Sequence, residues 1–129
     1  MIGMKTPGFR YATLVRRIAV CGCLLAAGLS IANAMSIREL RTLQKSDARQ
    51  GANYVRYYLV GAMEGALQAH DQAVRAGAAA TICMNGRRLL PEMAEGLYLT
   101  ELKRNKDLYE ADMPVPMVLA NALSTVYPC

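Results

Sequence analysis

The sequence predicts an all-α fold, a small helical bundle of about four to five helices stapled by one disulfide. Three observations carry that expectation. Apolar residues between Ser36 and Val126 recur at three- and four-residue spacing. Period-two alternation is absent, no Asn-Gly or Asp-Gly pair is flanked by strand-like runs, and Val, Ile and Thr are sparse after residue 35. Two cysteines, Cys83 and Cys129, stand far apart in the same stretch, and what precedes them argues that they are joined.

Met1 to Ala34 reads as a secretory signal peptide. Lys5, Arg10, Arg16 and Arg17 come without an acid, Ile18 to Ile31 is apolar, and Ala32-Asn33-Ala34 supplies the small residues of a cleavage site. Cleavage after Ala34 leaves residues 35–129 as one exported domain, expected in the periplasm. Other readings fit less well. Val15 spoils a twin-arginine signal, and Val20-Cys21-Gly22 is a poor approach to a lipidated Cys23. The apolar run is also shorter than the roughly 20 residues that cross a bilayer, so no stable membrane anchor is expected after processing.

That cut changes the composition. The whole chain has 15 basic and 10 acidic residues, a formal +5, but four of the bases lie before Ala34. Eleven bases against ten acids remain, so no basic surface for nucleic acid is expected. Cys21 and Cys23 leave with the signal. Cys83 and Cys129 stay as an even pair in an oxidising compartment, where thiols are normally joined.

The elements follow in order. Ser36-Ile37-Arg38-Glu39 has the form of a capping box and opens a short helix from about Ile37 to Lys45, with Ile37, Leu40 and Leu43 on one side. Asp47 to Gly51 is a break. A long helix runs from Ala52 to about Arg75, its buried face expected along Val55, Leu59 or Tyr58, Ala62, Ala66, Ala69 and Ala73. Gly61 and Gly65 lower its propensity while allowing another backbone close. Tyr54, Tyr57 and Tyr58 are read as core edge, with a contact surface as the alternative. Gly77 to Arg88 is a connection pinned by the disulfide. Pro91 suits the first turn of the next helix, with Glu92 and Glu95 at its positive end, Lys103, Arg104 and Lys106 at the other, and Met93, Leu97, Tyr98 and Leu102 buried. Asn105 to Pro116 is a polar loop with two prolines. A last helix starts at Pro116 or Met117, buries Met117, Ala120, Leu123 and Val126, and stops before Pro128.

Catalytic chemistry finds few carriers. His70, the single histidine, is expected on the solvated side of the long helix, and the disulfide leaves no thiol nucleophile. Ser36, Ser46 and Ser124 have no evident base. Glu92 and Glu95, with Glu101 further on, are read as capping and solubilising groups. Met63, Met84, Met93, Met113 and Met117 are read as core filler rather than copper ligands. Two cysteines and a distant His70 do not make a metal set. No catalytic residue, cofactor or metal is expected, and the chain is read as one that binds rather than turns over a substrate.

Several segments carry a family resemblance. The ending VLANALSTVYPC, Val118 to Cys129, resembles the closing motif of the Rap/Tai immunity proteins, in which a final amphipathic helix runs into an aromatic-Pro-Cys terminus, here Tyr127, Pro128 and Cys129. YYLVGAMEGAL, Tyr57 to Leu67, is similar to the family's Tyr-Val-x-Gly stretch, with Tyr58 and Gly61 on the matching positions. Cys83 matches the cysteine that opens the following connection, and Leu97-Tyr98-Leu99 resembles the aromatic-Leu element after it. One departure is visible: the additional cysteine pair of many members falls near Gln44 and Val55 here, and both cysteines are absent.

The resemblance implies a periplasmic immunity protein that acts as a homodimer and inhibits a cognate peptidoglycan amidase delivered by type VI secretion, by occluding its active site. The polar loop between the last two helices suits such a role, and Asn105, Lys106, Asp107, Tyr109, Glu110 and Asp112 are the expected contact residues. A periplasmic acid-stress chaperone of the small disulfide-bonded helical type is the alternative. It would hold client proteins at low pH, where carboxylate protonation alone can drive a conformational change.

Overall fold

The computed structural model describes residues 33–129, of which Ala34–Cys129 form one compact unit. Nearly all of the expected signal peptide therefore lies outside the described residues. Four helices make up the unit: α1 (Ile37–Ser46), α2 (Gly51–Arg75), α3 (Met93–Arg104) and α4 (Val115–Val126). Among the described residues there is no strand, only the isolated bridges Ser36 to Pro114 and Ile82 to Pro128. The all-α expectation holds.

Local chemistry accounts for the helix ends. The capping box closes as read: the Ser36 hydroxyl accepts from the Glu39 amide, and the Glu39 carboxylate accepts from the Ser36 amide at 2.7 Å. Asp47 forms the break, its carboxylate accepting from the amides of Arg49 and Gln50 at 2.8 and 3.0 Å. Gly51 then starts α2 where a side chain would collide, since an added Cβ would run into the Gln44 carbonyl oxygen. Further on, Asn85 and Gly86 both take positive φ, which turns the 77–92 connection back toward α3.

The core is one cluster. Ile37 and Leu40 from α1, Val55, Leu59 and Met63 from α2, Ala94, Leu97 and Tyr98 from α3, and Val115, Val118, Leu119, Ala122 and Leu123 from α4 are all buried, joined by Ile82 and Tyr127. Two expected faces need correcting. On α2 the buried ridge is Val55, Leu59 and Met63, whereas Ala69 and Ala73 are exposed and Ala62 and Ala66 only half-buried. On α4 the inward face includes Val115, Val118, Leu119 and Ala122, leaving Met117 and Val126 exposed. In α2 burying Met63 removes more area from water than burying Ala69 or Ala73 would, whereas in α4 the packing partners, not side-chain size, decide the face, since Ala122 is buried and Met117 and Val126 are not.

α1 lacks the cysteine pair but is held in other ways. Ile37 and Arg38 amides donate to the carbonyls of Met113 and Ala111, and the Val115 amide donates to Met35, at 3.0, 2.7 and 2.9 Å. Gln44 and Val55 line the same small cleft of about 190 Å3. The Tyr58 hydroxyl accepts from the Met35 amide at 3.1 Å, so one of the three tyrosines fixes the start of the unit, while Tyr54 and Tyr57 are exposed rather than core edge. Burial raises the Tyr58 phenol above its usual pKa.

Candidate functional site

The connector between α3 and α4, residues 105–114, is clamped at its base from two sides. Glu101, in the last turn of α3, is only 3% exposed. Its Oε1 accepts from Asn105 Nδ2 at 2.8 Å and from the Tyr109 hydroxyl at 2.7 Å, and that hydroxyl in turn accepts from Asn121 Nδ2 of α4 at 2.9 Å. Burial first, and then the hydrogen bond to Glu101, push the Tyr109 phenol above its usual range. The second clamp is the pair of backbone bonds from α1 to Ala111 and Met113.

Between the clamps the loop faces water. Lys106, Asp107, Glu110 and Asp112 are exposed there, and Leu108 stands among them 57% exposed. The six residues selected from sequence thus divide: four are free on the surface, while Asn105 and Tyr109 point inward to Glu101. Leu108 was not among the six. Its only sequence signal is an apolar side chain set between Lys106-Asp107 and Glu110. Glu101 is thus a buried acceptor rather than a solubilising acid, with Asn105 and Tyr109 donating to it and Asn121 reaching it only through the Tyr109 hydroxyl.

A second surface lies along α2 and α4. It is an open groove of about 1010 Å3 floored by Gly61, Gly65, Ala66 and Ala69, with Tyr57, 76% exposed, at one end. No Asp, Glu, Lys or Arg lines it. An added Cβ on Gly61 or Gly65 would meet nothing within 4 Å, so within this unit neither glycine serves a close backbone approach.

His70 closes the other end of the groove and corrects the expectation of a solvated residue. Its side chain is 13% exposed, and Nε2 accepts from the amides of Thr81 and Ile82 at 3.0 and 3.2 Å. Nδ1, 3.3 Å from Asp71, therefore carries the hydrogen. Both backbone donors would otherwise be unpaired just before the disulfide, so the imidazole acts as a splint for the 77–92 connection.

Cys83 and Cys129 are bonded, with Cα atoms 4.9 Å apart. Around them the Cys83 amide donates to the Tyr127 carbonyl at 2.8 Å, and the Arg87 guanidinium lies 4.6 Å from the Tyr127 ring centre while donating to the Cys83 carbonyl. The Tyr-Pro-Cys ending thus fastens α4 to the long connection. Among the described residues no three His, Cys, Asp or Glu side chains gather as metal ligands, and no helix is long and apolar enough to cross a membrane.

This geometry defines a class: a small disulfide-stapled helical domain that presents a clamped loop and a charge-free groove. The chain matches no family profile, no curated protein and no solved structure.

Proposed function

We propose that this chain works by binding and inhibiting another protein, as a periplasmic immunity protein that fills the active-site groove of a cell-wall amidase delivered by type VI secretion. The observation that carries the reading is the 105–114 connector, an exposed apolar side chain at Leu108 ringed by charges on a loop whose base is tied to buried Glu101. A loop ordered before binding loses less conformational entropy on docking, which is how a small rigid protein inhibits tightly. Leu108 is the anchor in this reading. Lys106, Asp107, Glu110 and Asp112 set orientation and partner choice.

A second copy belongs to the same proposal. We assign the pair to the α2–α4 groove, because a twofold axis through a surface without formal charges brings no like charges together. Its glycine and alanine floor also lets a partner helix lie close.

The decisive experiment searches the adjacent reading frames for a Cys/His amidase, mixes the protein with that enzyme and follows peptidoglycan hydrolysis. Inhibition by the native chain is expected, with loss of at least tenfold in potency for Leu108→Asp and no change in its melting temperature. Full hydrolysis in the presence of excess native protein would sink the proposal.

A further inference from the structure

Glu101 has one carboxylate oxygen left over after the loop is clamped. Asn105 and Tyr109 both donate to Oε1, filling its two acceptor positions, and no hydrogen bond or ion pair reaches Oε2 among the described residues. Every sealed side-chain oxygen of the described residues has a partner, so Oε2 must touch accessible space. Glu101 lines a cleft of about 280 Å3 between α3 and α4, together with Met93, Gly96, Leu97, Thr100, Arg104, Ala122 and Val126. At 3% residue exposure the access of that oxygen to water is narrow, and a carboxylate oxygen so restricted beside apolar walls is stabilised when a cation meets it.

We infer that this cleft receives one primary ammonium on an unbranched apolar stem, the chemistry shared by a lysine side chain and a free alkylamine. The apolar walls cover the stem, and the single open oxygen takes the charge. A guanidinium fits less well, because its fork recognises both oxygens of a carboxylate and Oε1 is already saturated. Thr100 also lines the cleft and offers a hydroxyl acceptor for a second ammonium hydrogen. Arg104 is the one cation in the lining, three residues from Glu101 on the same helix, yet it makes no ion pair with it.

The test is an NMR titration of the 15N-labelled protein with n-butylammonium, with a blocked pentapeptide carrying one central lysine, and with the neutral controls n-butanol and the norleucine peptide. Saturable amide shifts at Gly96, Leu97, Glu101 and Ala122 are expected with the cations only. Shifts from both cations assign a lysine side chain as a ligand the cleft admits, whereas shifts from butylammonium alone assign a free amine. Glu101→Gln keeps an acceptor for Asn105 and Tyr109 and should weaken binding at least tenfold. Gly96→Leu should do the same by filling the cleft, and it should fold, since an added Cβ at Gly96 meets nothing within 4 Å. Equal shifts from the neutral controls, unchanged affinity in both variants, or no saturable shift would overturn the inference. Binding that emerges only in Arg104→Ala would also overturn it, by showing that Arg104 fills the site itself.

Discussion

Tyr109 joins three parts of the molecule through one hydroxyl, donating to Glu101 and accepting from Asn121. Tyr109→Phe keeps the ring and removes that hydroxyl, leaving Asn121 Nδ2 without its acceptor and Glu101 with one donor fewer. The expected cost is about 1–2 kcal/mol, read as a fall in melting temperature of several degrees by calorimetry. Glu39 and Asp47 contribute an acid-labile part of the stability at the same scale. Backbone amides hold both carboxyls below their ordinary values of 4.5 and 3.8, through Ser36 for Glu39 and through Gln50 then Arg49 for Asp47. A depressed folded-state value means stability that is present above those ordinary values and is lost as pH falls through the folded ones. Unfolding at α1 is therefore expected to begin below about pH 4.5, and Glu39→Gln should flatten the melting temperature between pH 3 and 5, as circular dichroism would show. No such flattening would mean the capping box does not govern acid lability.

At the scale of elements, α1 is a helix that no disulfide holds. Backbone bonds to Ala111, Met113 and Met35, together with buried Ile37 and Leu40, do the fastening here. Gln44 and Val55 nonetheless border one cleft, so the double variant Gln44→Cys, Val55→Cys is expected to oxidise spontaneously. Closing so short a loop stabilises by about 2–3 kcal/mol in the chain-entropy model. Thiol titration with melting curves decides it: two free sulfhydryls after oxidation would show that α1 and α2 diverge too far there. The capping box, the Asp47 break, α2 and the proline-bounded loop were legible because each depends on neighbours in sequence. The inward faces of α2 and α4 were legible only in part, Val55, Leu59 and Leu123 among them, because both helices have apolar or small residues on more than one side. Spacing alone does not rank Ala69 and Ala73 against Met63; the packing partner does.

For the whole molecule, the Cys83–Cys129 bond closes a chain separation of 46 residues, which corresponds to about 4 kcal/mol in the same model. It ties the two walls of the groove together, since Cys83 follows Ile82 beside α2 and Cys129 follows α4. The groove is where the proposed pairing is tested. Gly65→Arg introduces a side chain into open space and should leave the fold intact, yet it sets two charges against each other across a twofold axis. Sedimentation is expected to show a dimer for the native protein and a monomer for the variant; a native monomer at roughly 100 µM would refute the assigned face.

Sequence by itself determined the helical class, the order of the four elements, their caps and breaks, and the cysteine pair, all of which rest on local periodicity, side chain to backbone bonding and cysteine pairing. Tertiary structure alone decided the rest. Glu101 lies inside because Asn105 and Tyr109 donate to it and Asn121 of α4 holds Tyr109 in turn, and His70 is drawn against Thr81 and Ile82 because the connection folds back along α2. Leu108 stands out on a loop that Asn105 and Tyr109 anchor inward to Glu101. Burial and exposure at those three positions are properties of distant contacts, and no window of sequence contains them.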